Sequence, residues 1–253
     1  GRSHGLSATF ALPSVAPAIP EFMITLFREL LYRPLFNALV WLSQVLPGSD
    51  FGLAIIVLTF VIRVVLLPLS LATARSQRAM QKINPRIQEL REKLKHNPAA
   101  QSAAIMDAYR EHKVNPLAGC VPLLIQLPVI IALYQAFLAV FQQENLGLLY
   151  SFIPRPEFIN TISFGIITIT EHSPLLAIGA GIAQFLQARV TMANQATSPQ
   201  PEMATALNTQ MLYIFPLMIV VIGWNLPAGL TLYWIATALF SIGEQVYLRR
   251  MVQ

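Results

Sequence analysis

The sequence predicts an all-α integral membrane protein whose core is a bundle of five transmembrane helices. Of its 253 residues, 55% are hydrophobic and only 11% are charged, whereas soluble domains are about 45–50% apolar and about 25% charged. The mean hydropathy is +0.57. Five apolar stretches each approach the roughly 20 residues that a helix needs to cross the hydrocarbon core. Helices are predicted because lipid cannot satisfy the unpaired backbone groups of open strands.

The segment before the first span divides into two parts. Residues 1–22 are rich in Gly, Pro, Ser and Ala and lack the basic start and unbroken apolar core of a signal peptide. We interpret them as a vector-derived or unstructured leader and assign the working core to residues 23–250. The stretch Met23–Leu46 is apolar but carries charged residues, including Arg28 and Glu29. An amphipathic helix in the outer membrane interface is therefore predicted over residues 23–46.

The spans differ in how clearly the sequence marks them. The second contains no charged residue, whereas the third is interrupted by Gln184, Gln187 and Arg189. The last two follow each other almost directly, so a tight hairpin that turns at GWNLPAG is predicted. The five predicted transmembrane segments are residues 51–69, 116–141, 174–192, 209–226 and 227–248.

The basic residues predict the orientation. Residues 70–115 contain nine lysines and arginines, whereas residues 142–173 contain only Arg155. The positive-inside rule places residues 70–115 in the cytoplasm, and Arg249 and Arg250 place the C-terminus there too. Five spans then place the N-terminal side outside.

The cytoplasmic segment, residues 70–115, has the pattern of a helical hairpin. Apolar residues from Ile83 to Leu94 recur at helical spacing. Asn97 is a suitable N-cap for a second helix over Pro98–Lys113, which has proline at its first position. Two interpretations stay open: the basic residues only fix the topology, or the hairpin is a docking surface for a polyanion or a partner protein.

Arg63 is the most informative residue, because it lies within the apolar run LTFVIRVVLLPLS. A charge in mid-span costs about 2.5–3.5 kcal/mol on insertion scales. One explanation is snorkelling towards the headgroups beyond Leu69, about 9 Å away along the helix. However, helical side chains tilt towards the N-terminus of their helix, which here points Arg63 towards the bilayer centre.

The alternative is that water reaches Arg63 inside the protein. Each polar residue of the other spans, taken singly, is more often a helix–helix hydrogen bond than a functional group. Together with an arginine that lacks a nearby acid, they predict a partly hydrated cavity. Glu244 is a candidate counter-ion, but its position near the inner surface predicts no fixed buried pair. The polar and aromatic residues concerned are Thr59, Gln126, Gln184, Gln187, Thr231, Trp234, Glu244 and Gln245.

Two long motifs carry a family resemblance. NPLAGCVPLLIQLPVIIALYQAF (Asn115–Phe137) and FPLMIVVIGWNLPAGLTLYW (Phe215–Trp234) resemble the signatures of the YidC/Oxa/Alb family of membrane protein insertases, and TFVIRVVLLPL resembles its arginine-bearing first core span. The order of elements also matches over Leu31–Arg250. The resemblance implies a short bacterial form in the plasma (inner) membrane that inserts and helps to fold newly made membrane proteins.

The resemblance also implies a mechanism and partners. A hydrophilic groove would open to the cytoplasm and to lipid, and Arg63 would draw in the acidic leading segment of a substrate. Nascent membrane proteins and the bilayer are the implied partners, with the ribosome and the Sec translocon beside them, and no DNA. Few residues follow Arg250, so we expect ribosome contact through the hairpin. The implied substrate-binding residues are Arg63, Thr59, Gln126, Gln184, Gln187 and Trp234.

Two other classes of function are alternatives to an insertase. An anion channel or transporter with Arg63 as its binding site is the main alternative, but it favours two related halves with broken helices, and no internal repeat is evident. An intramembrane enzyme is not expected, because the histidines fall outside the spans and neither HExxH nor GxSxG occurs. No phosphate-binding glycine loop is present, and we expect no cofactor and no nucleotide requirement.

Overall fold

The computed structural model describes residues 20–115, 121–156, 158–195 and 209–251. Most of the predicted leader therefore lies outside the described residues. The described chain is helical apart from short turns and one two-stranded sheet. Its helices are α1 (Glu21–Phe27), α2 (Arg33–Val45), α3 (Phe51–Lys93), α4 (Pro98–Glu111), α5 (Val121–Val140), α6 (Pro174–Gln195), α7 (Phe215–Asn225) and α8 (Ala228–Met251).

Two helices are entered through a turn of π-helix that ends two residues before a proline. Arg28–Tyr32 joins α1 to α2 ahead of Pro34, and Gln210–Ile214 leads into α7 ahead of Pro216. Proline donates no backbone hydrogen bond and its ring clashes with the carbonyl four residues earlier. The wider π turn relieves this conflict, so the helix continues through each proline.

The first predicted span is part of a much longer helix. α3 has 43 residues and continues past Leu69, through Pro68 and Pro85, into the predicted hairpin. Leu69 is thus not a helix end, because no glycine interrupts the sequence up to Lys93 and good helix formers surround each proline.

The second arm of the hairpin folds back onto the first. As predicted, the Asn97 side chain caps α4 by accepting a hydrogen bond from the backbone N–H of Ala100 (3.1 Å). Ile83 and Ile87 of α3 pack against Ala108 of α4 in a small apolar cluster. The apolar stripe found in the sequence is therefore the contact face of this helical pair.

The main apolar core joins α2, α3 and α5. Phe36, Phe51, Leu133 and Phe137 are buried within it. Asn37 of α2 fastens the following loop, because its amide donates to the carbonyl of Leu148 (3.2 Å) and accepts from the N–H of Tyr150 (2.7 Å). One face of α2 thus packs against α3, α5 and the loop that follows α5.

The remaining helices form the other side of the bundle. α6 packs against α7 and α8, and α8 packs against α3. Glycines allow close approach: a side chain at Gly229 would run into the ring of Phe137, and one at Gly181 would run into Val220. Strands β1 (Ile162–Ser163) and β2 (Ile167–Thr168) pair antiparallel beside the start of α3.

Length and composition identify membrane-spanning candidates. Within the described ranges, two helical segments are long and apolar enough to cross a bilayer, Phe51–Lys93 and Pro174–Ala193. Leu124–Val140 and Gln210–Asn225 are shorter apolar helices. The helical fold agrees with the expected class, and the five-span topology stays a prediction.

Candidate functional site

Arg63 lies on α3 where the helix leaves the apolar core. The buried residues of the first part of α3 extend from Phe51 to Thr59, and the next buried residue is Thr73. Arg63 itself is half-buried, between the exposed Val61 and Val64. Within the described part of the chain, its guanidinium forms no salt bridge.

A similar asymmetry occurs in α5 and α6, whereas the buried residues of α8 continue to Ser241. Where the structure describes the side chains of α5, its buried residues begin at Val129, in the half towards its C-terminal end. In α6 they lie between Ala177 and Ala183, in the half towards its N-terminal end. With the predicted orientation, all of these halves are the outer ones. The buried residues of α3, α5 and α6 are thus concentrated at one end of the bundle, and Arg63 lies beyond those of the first part of α3.

Thr59 does not offer its hydroxyl to a ligand in this conformation. The residue is 3% exposed, and its Oγ1 donates to the carbonyl of Ile55 one turn earlier (2.6 Å). A threonine in an apolar helix commonly satisfies its hydroxyl in this way. Thr59 therefore exposes no polar group that could make the predicted contact with a substrate.

Gln126 is joined to a residue that the sequence reasoning missed. Its Nε2 donates to the hydroxyl of Tyr233 on α8 (2.5 Å), and Tyr233 is 4% exposed. Tyr233 also interacts electrostatically with Arg63. Residues of α3, α5 and α8 thus meet near the arginine. The only sequence signal for Tyr233 was its place beside Trp234 in the second long motif.

Trp234 lines an apolar cleft between α5 and α8. The cleft has a volume of about 230 Å³. Arg63, Gln184 and Gln187 do not line it, so the predicted site residues form separate groups. The lining residues are Ile130, Ile131, Tyr134, Leu226, Leu230, Tyr233 and Trp234.

Gln184 and Gln187 lie half-buried in the middle and C-terminal part of α6. The backbone carbonyl of Gln187 accepts a hydrogen bond from Thr191 Oγ1 (2.9 Å), which in turn accepts one from Gln245 Nε2 of α8 (2.8 Å). Polar groups therefore join α6 and α8 in this part of the bundle. Gln184 lies one turn from Gln187 on the same helix face.

A second polar site lies at the N-terminal end of α3. Asp50 accepts hydrogen bonds from the N–H groups of Leu53 (3.0 Å) and Phe164 (2.7 Å), and from the Ser163 hydroxyl. Partial burial raises the pKa of Asp50, but these hydrogen bonds to its charged form outweigh that effect and lower the pKa overall. The backbone of Ile169 and Glu171 also accepts from Gly229 and Ala228 of α8 (2.9 and 2.7 Å).

A bundle of apolar helices with a half-buried arginine and polar contacts inside it is the architecture of a helical membrane protein. Comparison with known proteins identifies its family. The chain belongs to the 60Kd inner membrane protein family, whose family model matches residues 41–253.

The individual relatives agree with this family assignment. The membrane protein insertase MisCA of Bacillus subtilis is 36% identical over 217 residues, which cover 83% of this chain and 74% of MisCA. The membrane protein insertase YidC of Chlorobium limicola is 33% identical over 223 residues, or 88% of this chain. The chain spans only 36% of the length of that relative.

A solved structure is similar as well. It is described as an active YidC insertase crystal structure with the first transmembrane domain resolved. The TM-score is 0.54 at 26% sequence identity, and the match covers 84% of this chain and 45% of the solved chain. The likeness includes both the fold and the sequence, in agreement with the family assignment.

Proposed function

We propose that this protein is a membrane protein insertase that inserts and helps to fold newly made membrane proteins through a polar groove in the inner leaflet. The observation that carries the proposal is the position of Arg63. It lies half-buried, without a salt bridge in the described part of the chain, where the tight packing of α3 has ended. The names of the relatives, insertases YidC and MisCA, support the same activity.

The proposed topology has five spans, with the N-terminal side outside and the C-terminus in the cytoplasm of a bacterial cell. The nine basic residues of 70–115 support this orientation. α1 and α2 would lie in the outer interface. Exposed apolar side chains of α1, such as Phe22 and Met23, together with the Arg33–Glu29 ion pair, suit the boundary between acyl chains and headgroups.

In the proposed mechanism, the groove shortens the apolar distance that a polar segment has to cross. Arg63 attracts an acidic group on the leading segment of the substrate. Gln184 and Gln187 provide hydrogen-bonding groups on the facing helix. Burial of the substrate's own apolar helix then drives insertion, at about −0.3 to −0.6 kcal/mol per strongly apolar residue, without nucleotide hydrolysis.

The apolar cleft beside Trp234 suits a different part of the substrate. Its aliphatic and aromatic walls match the side chains of an apolar helix that is leaving the groove for lipid. The exposed basic residues of the α3–α4 hairpin suit the anionic surface of the ribosome. We also propose that the protein contacts the Sec translocon.

The test is insertion of a small single-span protein with an acidic leading segment into liposomes, without nucleotide. Liposomes that contain the protein should insert the substrate faster than empty ones. Arg63→Ala should reduce the rate by about tenfold, equivalent to about 1.4 kcal/mol, and Arg63→Lys should keep most of it because the charge is retained. Equal insertion by empty liposomes would contradict the proposal, and anion flux through the same vesicles would support the channel alternative.

A further inference from the structure

α3 and α8 run side by side in the same direction. Gly52 of α3 lies against Leu232 of α8 and Ile55 of α3 lies against Gly229 of α8, so near their N-terminal ends the two helices are matched in depth to within about two turns. Further along, Phe60 of α3 makes an edge-to-face contact with Phe240 of α8, with ring centroids 5.6 Å apart. This aromatic contact sets the relative depth of the residues that follow it on the two helices.

The aromatic contact brings Arg63 and Glu244 to similar depths. Arg63 follows Phe60 by three residues, and Glu244 follows Phe240 by four, so each lies about one turn beyond the aromatic contact and on the same side of its helix. The neighbouring Gln245 is held by its hydrogen bond to Thr191 of α6. Because successive residues point in different directions around a helix, Glu244 is turned away from α6.

Neither charged group has a bonded partner in the described part of the chain. Glu244 Oε1 is buried and accepts no hydrogen bond there. No salt bridge joins it to Arg63, although the two interact electrostatically. Two opposite charges thus lie at similar depths on adjacent helices without direct contact. A water molecule or a third polar group can bridge such a pair.

The geometry points to Glu244 as a specificity-determining residue, an internal counter-charge of Arg63 with which the carboxylate of an incoming acidic segment competes. This inference rests on the proposed insertase function. While no substrate is bound, Glu244 partly balances the guanidinium. A carboxylate that reaches Arg63 interacts favourably with the arginine and unfavourably with Glu244. The glutamate therefore weakens selection for acidic leading segments relative to neutral ones.

The experiment compares the insertion of two matched substrates by wild type and Glu244→Gln in liposomes. We expect insertion of the acidic-led substrate to rise about three- to tenfold, a typical effect of one charge at short range, while the neutral-led substrate is unchanged. The gain should shrink at high salt, which screens charges. Glu144→Gln removes one exposed carboxylate from the loop after α5 and should change neither rate. An unchanged acidic-to-neutral ratio in Glu244→Gln would overturn the inference.

A second readout does not depend on insertion. Thermal unfolding in detergent is measured for wild type, Arg63→Gln, Glu244→Gln and the double variant. Coupling between the two charges predicts that the effects of the single substitutions on stability are not additive. Additive effects would overturn the pairing whatever the insertion rates are. If wild type inserts no better than empty liposomes, the proposed function fails, and the unfolding cycle still decides whether Glu244 and Arg63 interact.

Discussion

The burial of neighbouring residues separates two possible roles of the Arg63 side chain. Val61, Val64 and Val65 are exposed on the outer surface of α3, where acyl chains would contact them. Arg63 is more enclosed than these residues and interacts electrostatically with Tyr233 and Glu244 of α8. A snorkelling arginine would extend along the lipid-facing surface. The arrangement instead suits an arginine that faces the interior of the bundle.

The contact between Gln126 and Tyr233 yields a prediction about stability. Tyr233→Phe removes the hydroxyl that Gln126 Nε2 donates to (2.5 Å) and leaves a partly buried amide without a partner. The variant should lose about 1–3 kcal/mol of unfolding free energy, measured by denaturant unfolding in detergent. The double variant Gln126→Leu/Tyr233→Phe is the control, because it replaces both polar groups and should recover part of the loss. Wild-type stability of Tyr233→Phe would contradict a structural role for the hydrogen bond.

At the scale of elements, the β1–β2 hairpin packs against the N-terminal end of α3. Its turn contains Phe164 and Gly165 with φ values of 53° and 72°. Phenylalanine rarely adopts this left-handed conformation. The backbone N–H of Phe164 donates to Asp50 Oδ2, so the capping carboxylate of α3 also stabilises the strained turn. One side chain thereby ties a helix start to a loop more than one hundred residues away.

Asp50→Asn should weaken both contacts. Loss of the negative charge at the start of α3 should reduce the free energy of unfolding at pH 7 by about 0.3–1 kcal/mol. The folded-state pKa of Asp50 is lowered, so its stabilising contribution is present above the unfolded pKa of about 3.9 and is lost as the pH falls through the folded value. Thermal unfolding from pH 7 to pH 3 should show wild type and variant converging at the acid end. A constant difference across this range would contradict the assignment.

Sequence patterns within a few helical turns predicted the α3–α4 hairpin. The Asn97 cap and the stripe through Ile83 and Ile87 depend on neighbours within a few turns, and the structure agrees with both. The contacts between Asp50 and Ser163 and between Gln126 and Tyr233 join residues 113 and 107 positions apart. No periodicity encodes such pairs, because many polar residues compete for each partner. The hydrogen bond of Thr59 to Ile55 is local, but the burial of Thr59 depends on how the helices pack, which the sequence pattern does not encode.

At the scale of the whole molecule, the uneven distribution of the core is the main finding. The large apolar cluster of α2, α3 and α5 lies towards the end of the bundle where the β1–β2 hairpin packs against the start of α3. A smaller cluster holds the α3–α4 hairpin at the other end. Between them, α3 has no buried residue from Phe60 to Ala72. Composition alone predicted the membrane class, but this asymmetry emerges only when the helices are packed.

The proposed groove requires that water reach Arg63 from the cytoplasmic side. The direct test uses Arg63→Cys in a Cys120→Ser background, reconstituted in vesicles and treated with a charged, membrane-impermeant maleimide. Thiols react as thiolates, so labelling requires contact with water. Val65→Cys, on the exposed face of α3, is the matched control that should face lipid.

We expect rapid labelling of Arg63→Cys when the reagent is added on the cytoplasmic side and slow labelling when it is added outside. Val65→Cys should be labelled little from either side. Equal resistance of the two cysteines, or faster labelling of Arg63→Cys from the outside, would contradict a groove that opens to the cytoplasm.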